Sequence, residues 1–189
     1  IPLTKNIHNI IDTSDKKPLG LYYENSKYYP ELVKTMTNKD TILDAVTLML
    51  EDDIGGFPIV NAENKIVGMV TEVSDSYSVV TTILSPEITI GAITNENDVI
   101  GIIENDVNYS AKGYCLMSYI NKNSNIDMGE IVLTSGGSVF PADMLIGTVK
   151  ELYSDSNGLT LHAVIEPSED VFSVTDVFVV TSFEGQGNS

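Results

Sequence analysis

The sequence predicts a mainly β fold: two small β-barrel-like units behind an N-terminal arm, with one candidate helix near residues 40–51. Three observations carry this. Past Phe57 the chain is a succession of short, β-branched apolar runs separated by turns rich in Asn, Asp, Gly and Ser. Short strands at regular spacing are the pattern of barrels and sandwiches. A sustained helical period occurs only over 40–53. With 189 residues, 42% hydrophobic and 20% charged, the chain has the composition of a globular protein and room for its own core.

Residues 1–20 show no sustained period and contain the polar break Asp12-Thr13-Ser14-Asp15-Lys16-Lys17-Pro18, so they read as an arm or linker. The first β unit is placed at 21–93. It opens with the tyrosine pairs Tyr22, Tyr23 and Tyr28, Tyr29 around a polar turn, a pattern that suits strand ends or an interface. Over 40–53, Asp40 or Thr41 can cap a helix whose apolar face is Ile42, Leu43, Ala45, Val46, Met49 and Leu50. Glu51-Asp52-Asp53 sits badly at a helix C-terminus, where the dipole disfavours negative charge, and Gly55-Gly56 would end it. A buried strand over Ala45 to Leu50 is the competing reading, and so short a run leaves both open.

The strands follow in order. Phe57 to Val60 and Lys65 to Val73 flank the turn cluster Asn61-Ala62-Glu63-Asn64, and Ser78 to Leu84 ends at Ser85-Pro86. Glu87 to Ile93 alternates, with Ile88, Ile90 and Ala92 on one face. The second unit, 94–183, holds strands at Val99 to Glu104, Gly113 to Ile120, Ile131 to Thr134, Ile146 to Tyr153, Leu159 to Glu166 and Val177 to Ser182. Asn157-Gly158 marks a hairpin between two of these. Residues 184–189 read as a disordered tail.

Charge narrows the function classes. Ten basic residues, all Lys, stand against 27 acidic ones, a net charge of −17. Nucleic-acid binding rests on Lys and Arg neutralising phosphates, so nucleic acid is not an expected partner. Without Arg there is no planar bidentate clamp for phosphate or carboxylate either. No apolar run reaches the ~18 residues of a membrane span, so none is expected in this fragment. The chain begins at Ile1, and the expectation is a processed or cloned piece whose anchor lay upstream.

Motifs for chemistry are sparse. Cys115, the single cysteine, lies in an apparent strand and reads as a buried thiol. Neither His8 nor His162 has a His or Cys at metal-ligand spacing. Ser135-Gly136-Gly137-Ser138 lacks the frame of a phosphate loop. The acidic groups at 51–53, 96–98 and 104–106 do not match a calcium loop and read as solvated turns. Asn108-Tyr109-Ser110 fits a glycosylation sequon. No catalytic residue, metal or cofactor is expected, and no enzymatic activity.

The informative segment is Met128 to Val149, which reads as strand, glycine-rich turn, aromatic–proline corner and strand. Gly136 and Gly137 permit positive φ, Phe140 can plug a barrel end, and Pro141 fixes the exit. This segment resembles the "GD-x-V-x-TSG…FP-x-G-x-x-x-G-x-V" signature of the bacterial rod-shape-determining MreC family. Val67 to Val73, Thr81 to Pro86, Ile165-Glu166-Pro167 and Asp176 to Val180 resemble further stretches of that family in the same order. The match covers about 58–184 and more weakly 21–40. The loop from Ser135 to Phe140 is one residue shorter than the family's, and Asp143 stands where the family commonly has Gly.

The resemblance implies the extracytoplasmic part of a membrane-anchored, non-enzymatic scaffold of the cell-elongation machinery. Such a scaffold self-associates into homo-oligomers and binds cell-wall synthesis and cell-shape membrane proteins. The structural motif would be Thr134, Ser135, Gly136, Gly137, Phe140, Pro141 and Gly147, with the tyrosine pairs as interface candidates. A second resemblance overlaps it: 38–74 is similar to a single CBS motif, the helix-strand-strand half of an adenine-nucleotide sensor. There Thr71 and Asp75 would bind nucleotide, although the position three after the Thr is Ser74 and no second copy occurs. A secreted barrel hydrolase, with two carboxylates converging in a pocket, is the third class weighed.

Overall fold

The computed structural model describes residues 3–5, 34–35, 56–61, 63–73, 78–137, 139–155, 158–174 and 177–183. The candidate helix at 40–53, the tyrosine pairs, Asp75 and the tail 184–189 lie outside them.

Strands dominate the described residues. In chain order they are β1 (Leu3–Lys5), β2 (Lys34–Thr35), β3 (Phe57–Val60), β4 (Ile66–Val73), β5 (Ser78–Thr82), β6 (Thr89–Thr94) and β7 (Ile100–Glu104). After the short helix α1 (Val107–Ser110) come β8 (Cys115–Asn121), β9 (Ile131–Ser135), β10 (Ala142–Ser154), β11 (Thr160–Pro167) and β12 (Phe178–Ser182). Asp106 caps α1 by accepting from the Asn108 amide at 2.8 Å. A hairpin joins β10 to β11, where the Asp155 carboxylate accepts from the Leu159 amide at 2.8 Å and Gly158 takes φ 64°.

Two antiparallel sheets result. One is six-stranded and open, in the order β1-β5-β4-β3-β12-β2. The other closes into a barrel, β10-β11-β8-β7-β6-β9. Closure leaves no free edge within the barrel. The mainly β reading holds, but the units divide differently from the expectation. The boundary expected at residue 93 falls inside β6, a barrel strand. The run at 177–182, expected in the second unit, returns to the first sheet as β12, pairing Phe178 with Val60 and Val180 with Thr35. A strand's local pattern encodes its faces and not its neighbour, so this long return was illegible in the sequence.

The core is continuous across both sheets. Phe57, Ile59 and Val67 of the open sheet and Ile90, Ile103, Met117 and Ile146 of the barrel belong to one buried apolar cluster. Polar links reinforce the junction. Lys65 bridges Leu145 in parallel, and the Asn61 side-chain amide donates to the Glu169 carboxylate.

Candidate functional site: a barrel corner and its outer faces

The β9–β10 corner is held by one buried hydroxyl. Thr134 is inaccessible to solvent; its Oγ1 donates to the Pro141 carbonyl at 2.5 Å and accepts from the Met144 amide at 3.0 Å. The loop's exit at Pro141 and the start of β10 at Met144 are thereby tied back to β9 through one side chain, whose hydroxyl is fully satisfied. Gly136 turns at φ 86°, Phe140 packs into the main core, and Pro141 is buried behind it. Asp143 takes φ 63°, the left-handed region that favours glycine. Gly147 lies against β11, where an added Cβ would sit 2.2 Å from the Glu166 carbonyl oxygen. Thr134, Gly136, Phe140 and Pro141 are thus gathered in one corner, exposed Ser135 and Gly137 border it, and Gly147 sets the β10–β11 approach.

Sequence reasoning passed over Glu130. It is only 3% exposed, yet charged: Oε1 accepts from the Asn97 amide and Nδ2, both at 3.0 Å, and Oε2 from the Asp127 amide at 3.1 Å. Burial pushes this carboxyl up, but the hydrogen bonds from Asp127, Thr94 and Asn97 outweigh it and hold the group below its ordinary value. The signal was present, since Glu130 occupies the acidic position of the "GD-x-V" motif.

The barrel's outer surface has two distinct faces. On the first, Leu145 pairs with Leu133, Leu133 with Ile93, and Ile93 with Ile100. Direct cross-strand partners share a face, so this apolar row runs along the outer side of β10, β9, β6 and β7, with Ile100 66% exposed, Ile93 and Leu145 half-buried and Leu133 buried at its floor. Ile131 and Ile102, two residues along their strands, extend it. On the second face His162 stacks on Tyr153 at 5.1 Å between centroids, and Tyr153 on Tyr109 at 6.4 Å. Ser118 Oγ meets His162 Nδ1 at 3.0 Å, beside a bulge whose exposed Tyr119 takes φ 60°. Lys150 bonds the Tyr114 hydroxyl at 2.7 Å and Glu166 at 2.9 Å, which raises its pKa.

The other singled-out residues fall elsewhere. Thr71, on β4, has its hydroxyl 3.0 Å from that of Thr81. Burial pushes the Cys115 thiol up to about 12, far from nucleophilic. In the Asn108-Tyr109-Ser110 sequon, Ser110 Oγ donates to the Leu84 carbonyl at 2.6 Å. Among the described residues no three His, Cys, Asp or Glu side chains converge to hold a metal, and no helix is long and apolar enough to cross a membrane.

A closed antiparallel barrel sharing one core with an open sheet defines the class of barrel-core proteins. The family described as "Rod shape-determining protein MreC, barrel core" matches residues 52–181. The chain belongs to the MreC family.

Relatives and solved structures agree. The cell shape-determining protein MreC of Bacillus subtilis (strain 168) is 39% identical over 67 residues, covering 34% of this chain and 23% of that protein. The Geobacillus stearothermophilus protein matches with the same figures. The aligned stretch therefore spans about a quarter, 23%, of these curated relatives. Among solved structures, MreC from Listeria monocytogenes superposes with TM-score 0.61 at 18% identity, covering 100% of this chain and 80% of that one. MreC from Pseudomonas aeruginosa gives 0.57 at 24%, covering 69% and 83%. The Helicobacter pylori complex between penicillin-binding protein PBP2 and MreC gives 0.53 at 20%, covering 65% and 75%. At these identities the structures speak for the fold.

Proposed function

We propose that this chain is the extracytoplasmic, non-enzymatic scaffold portion of a cell-shape protein, acting in cell elongation by presenting its barrel to a peptidoglycan synthase of the PBP2 type. The observation that carries this reading is the family match over 52–181, which takes in the whole barrel. A solved complex of PBP2 with an MreC of the same fold supplies the class of partner. The outer face fits such a role, because rigid strands present side chains without the entropy cost of ordering a loop.

Self-association belongs to the same proposal. A related periplasmic domain is described as part of a cell shape-determining filament. The tyrosine pairs at 22–23 and 28–29 are the proposed contact for it. The reading is tested by titrating the chain with the extracytoplasmic part of the PBP2-type transpeptidase from its own bacterium. Saturable binding is expected; no heat and no co-elution at tens of micromolar would refute it.

A further inference from the structure

We infer that the apolar row on the outside of β10, β9, β6 and β7 is a docking site for a protein segment that is apolar at its centre and lysine- or arginine-rich at its rim. The inference rests on the scaffold reading above and names the face and the chemistry of its partner.

The row consists of Leu145, Leu133, Ile93 and Ile100, paired directly across neighbouring strands, with Ile131 and Ile102 beside them. Leu133 is packed down to 8% exposure and forms the floor of the row, Leu145, Ile93 and Ile102 are half-buried, and Ile131 and Ile100 are 38% and 66% exposed, whereas the inward residues Ala92, Ile103 and Val132 belong to the main core. In an antiparallel barrel the outer positions are expected to be polar. Here, over β6, β7 and β9, the outer positions alternating with the core are Thr89, Gly91, Ile93, Ile100, Ile102, Glu104, Ile131, Leu133 and Ser135. A face with one charge, at its end, is unexpected on a chain of net charge −17.

The charges lie around the row. Exposed Glu96 and Asp98 occupy the β6–β7 turn, Glu104 ends β7, and exposed Asp143 precedes Leu145 on β10. Among the described residues, Lys65 beside Leu145 is paired with Glu63 at 2.7 Å and adds no net positive charge. An apolar centre with a charged rim is the anatomy of a specific protein interface. A rim of one sign selects a partner of the other. A second copy of this chain is the wrong occupant, because face-to-face docking would set these carboxylates against their own duplicates.

The test uses calorimetric titration of the chain with the extracytoplasmic part of the PBP2-type transpeptidase of the same bacterium, at low and high salt. Ile100→Asp places a charge on an already exposed side chain, Asp98→Lys reverses the rim, and Leu159→Asp, at the β10–β11 hairpin, is the control. Expected are a loss of at least tenfold in affinity for Ile100→Asp, a smaller loss for Asp98→Lys, weaker binding in high salt, and none of these losses for Leu159→Asp. Circular dichroism melting shows whether each variant is folded; if Ile100→Asp is not, Ile131→Asp replaces it. Wild-type binding that survives both substitutions overturns the docking site and leaves the scaffold reading standing. Absence of wild-type binding overturns both. A drop in self-association of Ile100→Asp by sedimentation would show the face to be homotypic and also overturn the assignment.

Discussion

At the scale of single residues, the barrel depends on a few polar groups that hold its irregular places. Glu130 secures the β6–β7 turn to the loop before β9 through three hydrogen bonds to a buried carboxylate. Hydrogen bonds to charged groups are worth about 1.5–3 kcal/mol each, so Glu130→Ala should cost at least that much in urea unfolding. Its carboxyl titrates below the ordinary value in the folded state. The stabilisation from ionised Glu130 is therefore complete above the unfolded-state value of about 4.3 and lost as pH falls through the folded value. The melting-temperature gap between wild type and Glu130→Gln should be largest near neutral pH and narrow progressively as the pH falls below the unfolded-state value of about 4.3. A gap that is constant with pH would show that the charge is immaterial. Asp143 illustrates the opposite case, a side chain where the backbone favours none. Asp143→Gly should leave stability unchanged or raise it by up to about 1 kcal/mol, whereas Asp143→Val should lower it by about 1–2 kcal/mol.

At the scale of elements, β10 is the organising strand. It runs from Ala142 to Ser154, pairs with β9 on one side and β11 on the other, and carries bulges in both ladders. Bulges increase local twist and help a sheet curl into closure. Its two fixed points are the Thr134 clamp at its start and Gly147 at its middle. Thr134→Val would strand the Pro141 carbonyl and the Met144 amide in the core, a loss of about 2 kcal/mol, while Thr134→Ser keeps the hydroxyl and should recover most of it. Gly147→Ala asks β11 to move, because its Cβ would meet the Glu166 carbonyl at 2.2 Å. Hydrogen exchange should then show faster opening of β10 and β11, with β6 and β7 less affected. Uniform exchange across all barrel strands would place the strain elsewhere.

At the scale of the whole molecule, salt separates the two kinds of association. Each chain carries −17, so like chains repel, and screening should strengthen self-association. Binding of a basic-rimmed partner to the acidic margin should weaken over the same range. Sedimentation of the chain alone and calorimetry with its partner, each from about 0.05 to 0.5 M salt, should therefore move in opposite directions. Self-association that weakens in salt would instead indicate Lys-to-carboxylate contacts between copies.

Much of this was legible in the linear chain. Alternation placed nearly every strand from Phe57 to Ser182, since a half-buried strand must alternate to have a core face, and the Asn-Gly turn fixed one hairpin. The motif residues of the β9–β10 corner were also readable, because glycine and proline punctuate the backbone whatever surrounds them. Composition by itself marked an acidic, arginine-free chain ill suited to nucleic acid. Other features needed the tertiary structure. Burial of Glu130, the return of β12 to β3, the single core shared by two sheets and the apolar row across four strands all depend on which segments meet. Ile100 and Ile131 look like core residues in sequence, being apolar and strand-borne, yet they are 66% and 38% exposed. A side chain's hydrophobicity says that it avoids water, and only the barrel's closure decides which apolar face is turned inward and which outward.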